Sequence, residues 1–432
     1  MTNVFALVLC CSTLALAIDT LHIPILTRER FPSQPSEKRT KVGLPADRSF
    51  ARLMLCVRLD CPCGPGLGEW DYTVRFFVTR PSGQFDSTGA PIPERIEIAR
   101  FITPYAANRP STWNWTWQWD VTDYRFLFSD STDLIVQYQG WTQSALFTVW
   151  LDAIAGVPPY TVFALDQLIE GSFPYGKIDD PIDRYTTGKR FRVPPNAEMV
   201  QLRITTTGHG FGGTDNAAEF AEKIHTVVVG TTQFSQHLWR DDCGWNPVYP
   251  QDGTWPLSRA GWCPGDVVYP WQQWITSVVQ PGTEATFDYR MQPFVNEQFD
   301  AHPSSYLVNA QVLYARRPAL ERRATLVAVR APNAAPPHQR INPTCGHPQI
   351  VVRNDGRDSI ASLRLEYTFD NGMPQQFLWR APTPLGLSDT VTIELPSMTP
   401  QLDTPAVRRF TVRIADVNGQ PNQEAVFDRM TV

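Results

Sequence analysis

From Ala51 onward the chain alternates short β-type runs with proline and glycine turns, and that rhythm constrains the fold more than any other feature. Ala51 to Val57, Tyr72 to Thr79, Arg95 to Ile102, Leu134 to Tyr138 and Leu146 to Ala153 are rich in branched and aromatic residues. Turn signals such as Pro81-Ser82-Gly83 and Asn108-Arg109-Pro110 separate them. Strands at this spacing predict antiparallel sandwiches or jelly rolls rather than βαβ units. A break at Gly156-Val157-Pro158-Pro159 divides this block from a second strand-rich block ending near Arg316. Beyond Ala331-Pro332-Asn333-Ala334-Ala335-Pro336-Pro337, the runs Ile350 to Val352, Leu363 to Phe369 and Phe410 to Ile414, with an Asn418-Gly419 turn, read as a C-terminal immunoglobulin-like sandwich. The expected organisation is all-β. A polar arm broken by Pro32 and Pro35 covers 18–45, the first sandwich 46–157 and the second 158–316; a linker over 317–345 leads to the Ig-like unit at 346–432.

A chain of 432 residues with 42% hydrophobic content has material for more than one core. Lys+Arg 38 against Asp+Glu 43 leaves no basic excess for a phosphate backbone, which argues against nucleic acid as a partner. Pro 38, Trp 14 and Phe 23 with 19% charged residues suit a loop-rich extracellular protein, whose aromatic faces either stack on sugars or fill sandwich cores. Residues 1–17 read as an export signal: Val4 to Cys11 is apolar and Ala15-Leu16-Ala17 suits signal peptidase, although no Lys or Arg precedes the run. A secreted or periplasmic monomer is expected, and no other run has the roughly 18–20 apolar residues of a membrane span. Export makes disulfides plausible. Cys243 and Cys263 are the best pair, because the Gly/Trp/Pro-rich loop between them benefits from closure. Cys56, Cys61, Cys63 and Cys345 leave their pairing open. With no second CxxC and no HExxH, neither a metal nor a cofactor is expected.

Four segments carry candidate chemistry. Gly68-Glu69-Trp70-Asp71 sets a carboxylate beside an indole at a strand start, where desolvation raises an aspartate pKa toward the range useful for proton transfer. Trp113, Trp115, Trp117 and Trp119 recur every second residue, which places their rings on one face of a strand. Exposed, they form a sugar platform; buried, they form the core-facing side of a sandwich strand, the favoured reading given the alternation with Asn114, Thr116 and Gln118. The glycine-rich Thr207-Gly208-His209-Gly210-Phe211-Gly212-Gly213 lacks dinucleotide-binding spacing and leads toward Glu219 and His225. His225 reads most simply as a core histidine. Lastly, Ser258-Arg259-Ala260-Gly261-Trp262-Cys263 puts an arginine beside a tryptophan.

Taken in order, Glu69-Trp70-Asp71, Arg100-Phe101-Ile102-Thr103-Pro104-Tyr105, Asp120-Val121-Thr122-Asp123, Pro174-Tyr175-Gly176-Lys177, Ala218-Glu219, His225-Thr226 and Arg259-Ala260-Gly261-Trp262-Cys263-Pro264-Gly265 resemble the peptide-N-glycosidase F family over about residues 46–316. The resemblance implies two eight-stranded antiparallel jelly rolls side by side, with a cleft between them. It implies hydrolysis of the amide joining asparagine to the first N-acetylglucosamine, releasing the glycan and leaving aspartate. The implied partners are N-linked glycoproteins and glycopeptides, recognised at the chitobiose core. By position, Asp71 matches the primary catalytic aspartate and Glu219 the glutamate that works with it. Arg259 is expected to stabilise charge near the chitobiose, and Trp141 to wall the sugar. Gln139, Tyr72, His209, Trp70 and Glu69 are expected around the same cleft.

The chain also departs from the family. Gln139-Gly140-Trp141 stands where the family has an acid before the tryptophan, and glutamine keeps a hydrogen bond but no charge. Tyr72 replaces an arginine, His209 a tryptophan, and Ala217 and Ala221 a pair of cysteines. A competing expectation is a glycan-binding or adhesion protein that keeps the cleft without turnover.

Overall fold

Alternate burial along the β-type runs draws them into paired sheets, because a strand with one apolar face must cover it against a second layer. The computed structural model describes residues 19–61, 70–106, 109–129, 131–246, 248–333, 338, 347–370, 372–397, 408–423 and 427–432. The expected export signal, Glu69, Cys63 and Cys345 lie outside the described residues.

The first sandwich is built from β1 (Thr20–Arg30), β2 (Ser36–Val42), β3 (Phe50–Asp60), β4 (Thr73–Phe85), β5 (Pro91–Ile102), β6 (Asn114–Asp120), β7 (Thr132–Tyr138) and β8 (Leu146–Ala155). They form two four-stranded antiparallel sheets ordered β1-β8-β3-β6 and β2-β7-β4-β5. Residues 18–45, expected as an arm, thus supply an edge strand to each sheet; β1 pairs with β8 from Thr20 to Arg30. The polar face of these edge strands hid them in the sequence, since only the inward residues such as Ile25, Leu26, Phe31 and Val42 join the core. Pro81-Ser82-Gly83, expected as a turn, lies inside β4, where the register with β5 slips between Pro81 and Gln84. A bulge uses the same residue types as a turn. In β6 the tryptophans face the core: Trp117 and Trp119 are buried and pack on Phe101, while Trp113 and Trp115 are partly covered.

The second sandwich comprises β9 (Thr161–Pro174), β10 (Lys189–Arg192), β11 (Met199–His209), β12 (Lys223–Val229), β13 (Thr232–Leu238), β14 (Trp271–Trp274), β15 (Glu284–Met291) and β16 (Ser305–Arg316), in sheets ordered β10-β15-β12-β13 and β14-β11-β16-β9. Its own apolar cluster includes Leu202, Val227, Phe287 and Val308. The third is smaller: β17 (Ala324–Ala331), β18 (Gln349–Asn354), β19 (Ile360–Phe369), β20 (Gln375–Leu385), β21 (Thr390–Glu394), β22 (Phe410–Val417), β23 (Gln420–Pro421) and β24 (Arg429–Thr431). Its sheets run β17-β18-β21 and β20-β19-β22-β23, with β24 also on β22. Because β17 pairs with β18, residues 324–331 of the expected linker belong to this sandwich.

A polar seam joins the first two sandwiches. On β5, Glu97 accepts from Arg100 Nε at 2.7 Å and from Arg75 Nη2 at 2.6 Å, and all three are buried. Arg100 reaches across to Thr207 Oγ1 at 2.9 Å and the Leu307 carbonyl at 2.8 Å, and Arg75 pairs with Glu170. Gln311 Nε2 donates to the Glu97 carbonyl at 2.9 Å. Above the seam the free edge of β5 takes up a loop of the second sandwich, through Gly265 N to Ile102 O at 2.9 Å and Val268 N to Arg100 O at 2.9 Å. That docking carries Arg259 and Trp262 toward the start of β4.

Candidate active site

Asp71 lies just before β4, where Thr103 at the end of β5 clamps the chain. Thr103 Oγ1 accepts from Tyr72 N at 2.7 Å and donates to Trp70 O at 3.3 Å, while Thr103 N donates to Tyr72 O at 2.9 Å. Two residues on, the Tyr105 hydroxyl donates to the Asp71 carboxylate. Burial raises the Asp71 pKa above the ordinary aspartate value; the Tyr105 bond, a backbone N–H and the charge of Arg259 oppose that rise.

Glu219 follows a one-turn 3-10 segment, Thr214–Asn216; its Asp215 and Asn216, and Ala217 just after it, all take positive φ near 54°. Left-handed backbone is costly for alanine, so this turn holds its shape against local preference. The fastening is visible: Lys223 pairs with Asp215, Glu219 N donates to Gly210 O at 3.0 Å, and Ala260 N donates to Glu219 O at 2.9 Å. Gly208 lets the Ala218 carbonyl approach, since a Cβ there would stand 2.4 Å from that oxygen. The Glu219 side chain is buried and accepts from Arg259 Nε at 3.3 Å. Burial, with the nearby Asp71 charge, pushes its pKa up to about 7, and the Arg259 charge limits the rise. The two carboxyls therefore sit in unlike surroundings, with the Asp71 charge felt at Glu219.

Glu219 opens onto a cavity of about 390 Å³ lined also by Trp70, Tyr105, Phe211, Phe220 and Thr254, and Asp71 stands behind its wall, bonded to the lining Tyr105. Its rim is aromatic: Trp70 is 47% exposed and Phe211 66%, and outside the lining Trp141, 61% exposed, stands 6.4 Å from the Trp70 ring. Trp141 reaches the rim because Gln139 N bonds Thr73 O at 3.1 Å, laying the exit of β7 beside Asp71, and because Gly140 turns over the Tyr138 ring. A Cβ on Gly140 would lie 2.2 Å from that ring. Gln139 points its amide to Gln137 Oε1 at 3.4 Å.

Three expected cleft residues stand elsewhere. Arg259 has no exposed surface; besides Glu219 it donates to Thr254 O at 3.0 Å, Leu257 O at 2.8 Å and Thr254 Oγ1 at 2.8 Å, so it acts on the cavity through Glu219 rather than touching a ligand. Tyr72 is buried, one strand position out of phase with Asp71, and supports Trp141 edge-on at 4.9 Å while its hydroxyl meets Thr142 Oγ1 at 2.9 Å. His209 stacks on Trp262 at 5.7 Å, binds Thr207 Oγ1 at 2.8 Å and lines a different cavity with Phe173 and Phe299, because Gly210, at φ 99°, turns the chain before Phe211 enters the rim. Burial and Arg100 hold the His209 pKa down to about 3. His225 is a core residue, its Nδ1 2.7 Å from Tyr289 Oη. Cys243 and Cys263 form a disulfide under the Arg259 loop. Sequence reasoning missed Tyr105, Phe211 and Phe220; Tyr105 closes the Arg100-to-Tyr105 motif, but its contact with Asp71 forms only across the clamp.

Paired antiparallel jelly rolls, with one raised carboxyl lining an aromatic cavity and a second beside it, define an all-β protein of the two-sandwich class. Comparison with known proteins narrows that class, and the chain resembles the peptide-N-glycosidase F family. The family model for peptide-N-glycosidase F, C terminal, matches residues 177–313. The peptide-N(4)-(N-acetyl-beta-D-glucosaminyl)asparagine amidase F of Elizabethkingia miricola is 29% identical over 269 residues, covering 58% of this chain and 71% of its own. The solved PNGase F from Flavobacterium meningosepticum, described as a glycosylasparaginase, superposes with a TM-score of 0.57 at 25% identity, over 69% of this chain and 96% of its own. PNGF-II shares the fold, at a TM-score of 0.54 and 16% identity over 70% of this chain and 66% of its own.

Proposed function

We propose that the chain is an exported amidase that hydrolyses the bond between asparagine and the first N-acetylglucosamine of N-linked glycoproteins or glycopeptides. The observation that carries this reading is a pair of neighbouring buried carboxyls, Glu219 lining the cavity with its pKa raised to about 7 and Asp71 bonded to the lining Tyr105. Amide hydrolysis needs a base for water and an acid for the departing nitrogen. In the proposed sequence the Asp71 carboxylate takes a proton from water as its oxygen attacks the asparagine side-chain carbonyl. Collapse of the tetrahedral intermediate breaks the C–N bond, and protonated Glu219 donates to the leaving nitrogen, giving aspartate and a glycosylamine. Trp70, Trp141, Phe211 and Phe220 supply flat apolar surface for sugar rings. Gln139 takes a hydrogen-bonding rather than a charged part. The Cys243–Cys263 disulfide supports an oxidising compartment. We read the third sandwich as an Ig-like appendage outside the catalytic units.

The test is glycan release from a denatured N-glycoprotein, read as free glycan and as conversion of asparagine to aspartate. Wild type releases intact glycan, and Asp71→Asn loses at least about 10²-fold in rate. Equal behaviour of the two proteins without release sinks the amidase reading; sugar binding without release favours the adhesion reading.

A further inference from the structure

A second cavity, of about 800 Å³, opens among the edge strand β6, the loop 240–269 and the first strand of the third sandwich. It is distinct from the Glu219 cavity, with which it shares no lining residue. Yet one backbone bridge serves both, since Arg240 N donates to Arg259 O at 2.7 Å and Arg259 N to Arg240 O at 3.1 Å. Whereas the Arg259 guanidinium goes to Glu219 and Thr254, that of Arg240 goes to Asp242 at 2.6 Å and Asp266 at 2.8 Å and lies 5.0 Å from the Tyr269 ring centre.

The walls have the composition of a site for a polyhydroxylated ligand. Trp245 and Tyr269 are 64% and 63% exposed, and Trp115 adds a half-buried ring from β6. Both exposed rings are backed by rigid structure: Trp245 ends a 3-10 turn whose first residue is the disulfide-bonded Cys243, and Tyr269 packs on Arg240. The same lining holds Thr116, Gln118 and Asp242, a hydroxyl, an amide and a carboxylate able to meet sugar hydroxyls in both directions. Charge decides the ligand class. Arg240 is already bridged by both aspartates, and Arg330 adds one charge against a lining that also holds Asp242 and Asp266, so no cationic or anionic excess selects an ion. The volume falls in the upper part of the ~300–1,000 Å³ range of ligand clefts.

We propose that this cavity binds a neutral oligosaccharide, with Trp245 and Tyr269 stacking on pyranose faces, as a saccharide site separate from the carboxyl cleft. It rests on the cavity's own chemistry and holds whether or not the chain hydrolyses glycosylated asparagine.

The experiment titrates a free neutral high-mannose N-glycan into Asp71→Asn protein, followed by calorimetry and by ligand-observed NMR, with Trp245→Ala and Tyr269→Ala added singly. Each ring removed weakens this binding about tenfold. Gln118→Ala, a strand-surface change with little bearing on folding, weakens it to a smaller degree. In the Asp71-containing protein the same three substitutions leave turnover of a short glycopeptide within about twofold. A titration indifferent to Trp245→Ala and Tyr269→Ala overturns the proposal. So does competition by an unglycosylated unfolded polypeptide as strong as by the glycan, which would make the cavity a peptide groove. Failure of the amidase reading appears separately, as absent glycopeptide turnover with the ring-dependent binding intact.

Discussion

Burial raises the pKa of both Asp71 and Glu219 and the Asp71 charge raises Glu219 further, while Arg259 lowers both and the Tyr105 hydroxyl acts on Asp71 alone. That asymmetry sets the expected pH dependence. In the proposed mechanism release requires Asp71 ionised and Glu219 protonated, so activity is expected to rise through an acid limb displaced above the ordinary aspartate value and to fall through an alkaline limb near pH 7. Tyr105→Phe removes a bond that favours charged Asp71. The acid limb then moves to higher pH, the alkaline limb stays, and the plateau rate drops about 10- to 100-fold, consistent with ~1.5–3 kcal/mol for a hydrogen bond to a charged group. A pH–rate profile in which both limbs are unmoved would leave Tyr105 a packing residue. At this scale the motif order named Asp71, Glu219 and Trp141, whose side chains project from segments the motifs define. Residue type could not separate Arg259 and Tyr72 from ligand contacts, because an arginine or tyrosine serves equally well behind a site as in it.

Among the elements, the loop from Arg240 to Val268 has the most to hold in place. It bonds the edge of β5, delivers Arg259 to Glu219, and contains no long strand of its own. Its closure by Cys243–Cys263, 20 residues apart, limits the unfolded chain and ties the Arg259 bridge to the 3-10 turn. Replacing both cysteines with serine is expected to cost about 3 kcal/mol, the loop-entropy value for a ring of this size, seen as a lower melting temperature on thermal unfolding. Release should fall further than the loss of folded protein accounts for, since Arg259 loses its seat. Equal melting temperatures would show that β5 pairing alone secures the loop. The elements least legible in the sequence are β1 and β2, edge strands with one solvated face, and the bulge at Pro81-Ser82-Gly83, which carries turn chemistry inside a strand.

For the whole molecule, the seam between the two sandwiches is ionic as well as apolar. Burial would raise the Glu97 pKa, but Arg100 and Arg75 overcome it and hold the carboxyl at about 2. A depressed carboxylate stabilises the fold above its unfolded pKa and gives up that contribution as pH falls from about 4.5 toward 2. Glu97→Ala strands two buried guanidiniums and is expected to destabilise the protein by about 3–5 kcal/mol at neutral pH, measured by urea unfolding. The difference from wild type should shrink as the pH is lowered through that window. Constant destabilisation from neutral pH to pH 2 would assign the loss to packing instead.

Alternation and turn chemistry determined by themselves that this chain is all-β, that its strands fall into successive sandwiches, and that its β6 tryptophans face inward, because strand periodicity is local. The ordered motifs also determined which segments belong together. Only the tertiary structure decided which of their side chains meet: that Tyr105 bonds Asp71, that Arg259 works from behind Glu219, and that His209 turns away. Those outcomes depend on the Thr103 clamp, the strained turn before Glu219 and the docking of one sandwich's loop on the other's edge strand, contacts between residues far apart in sequence whose geometry no local pattern encodes.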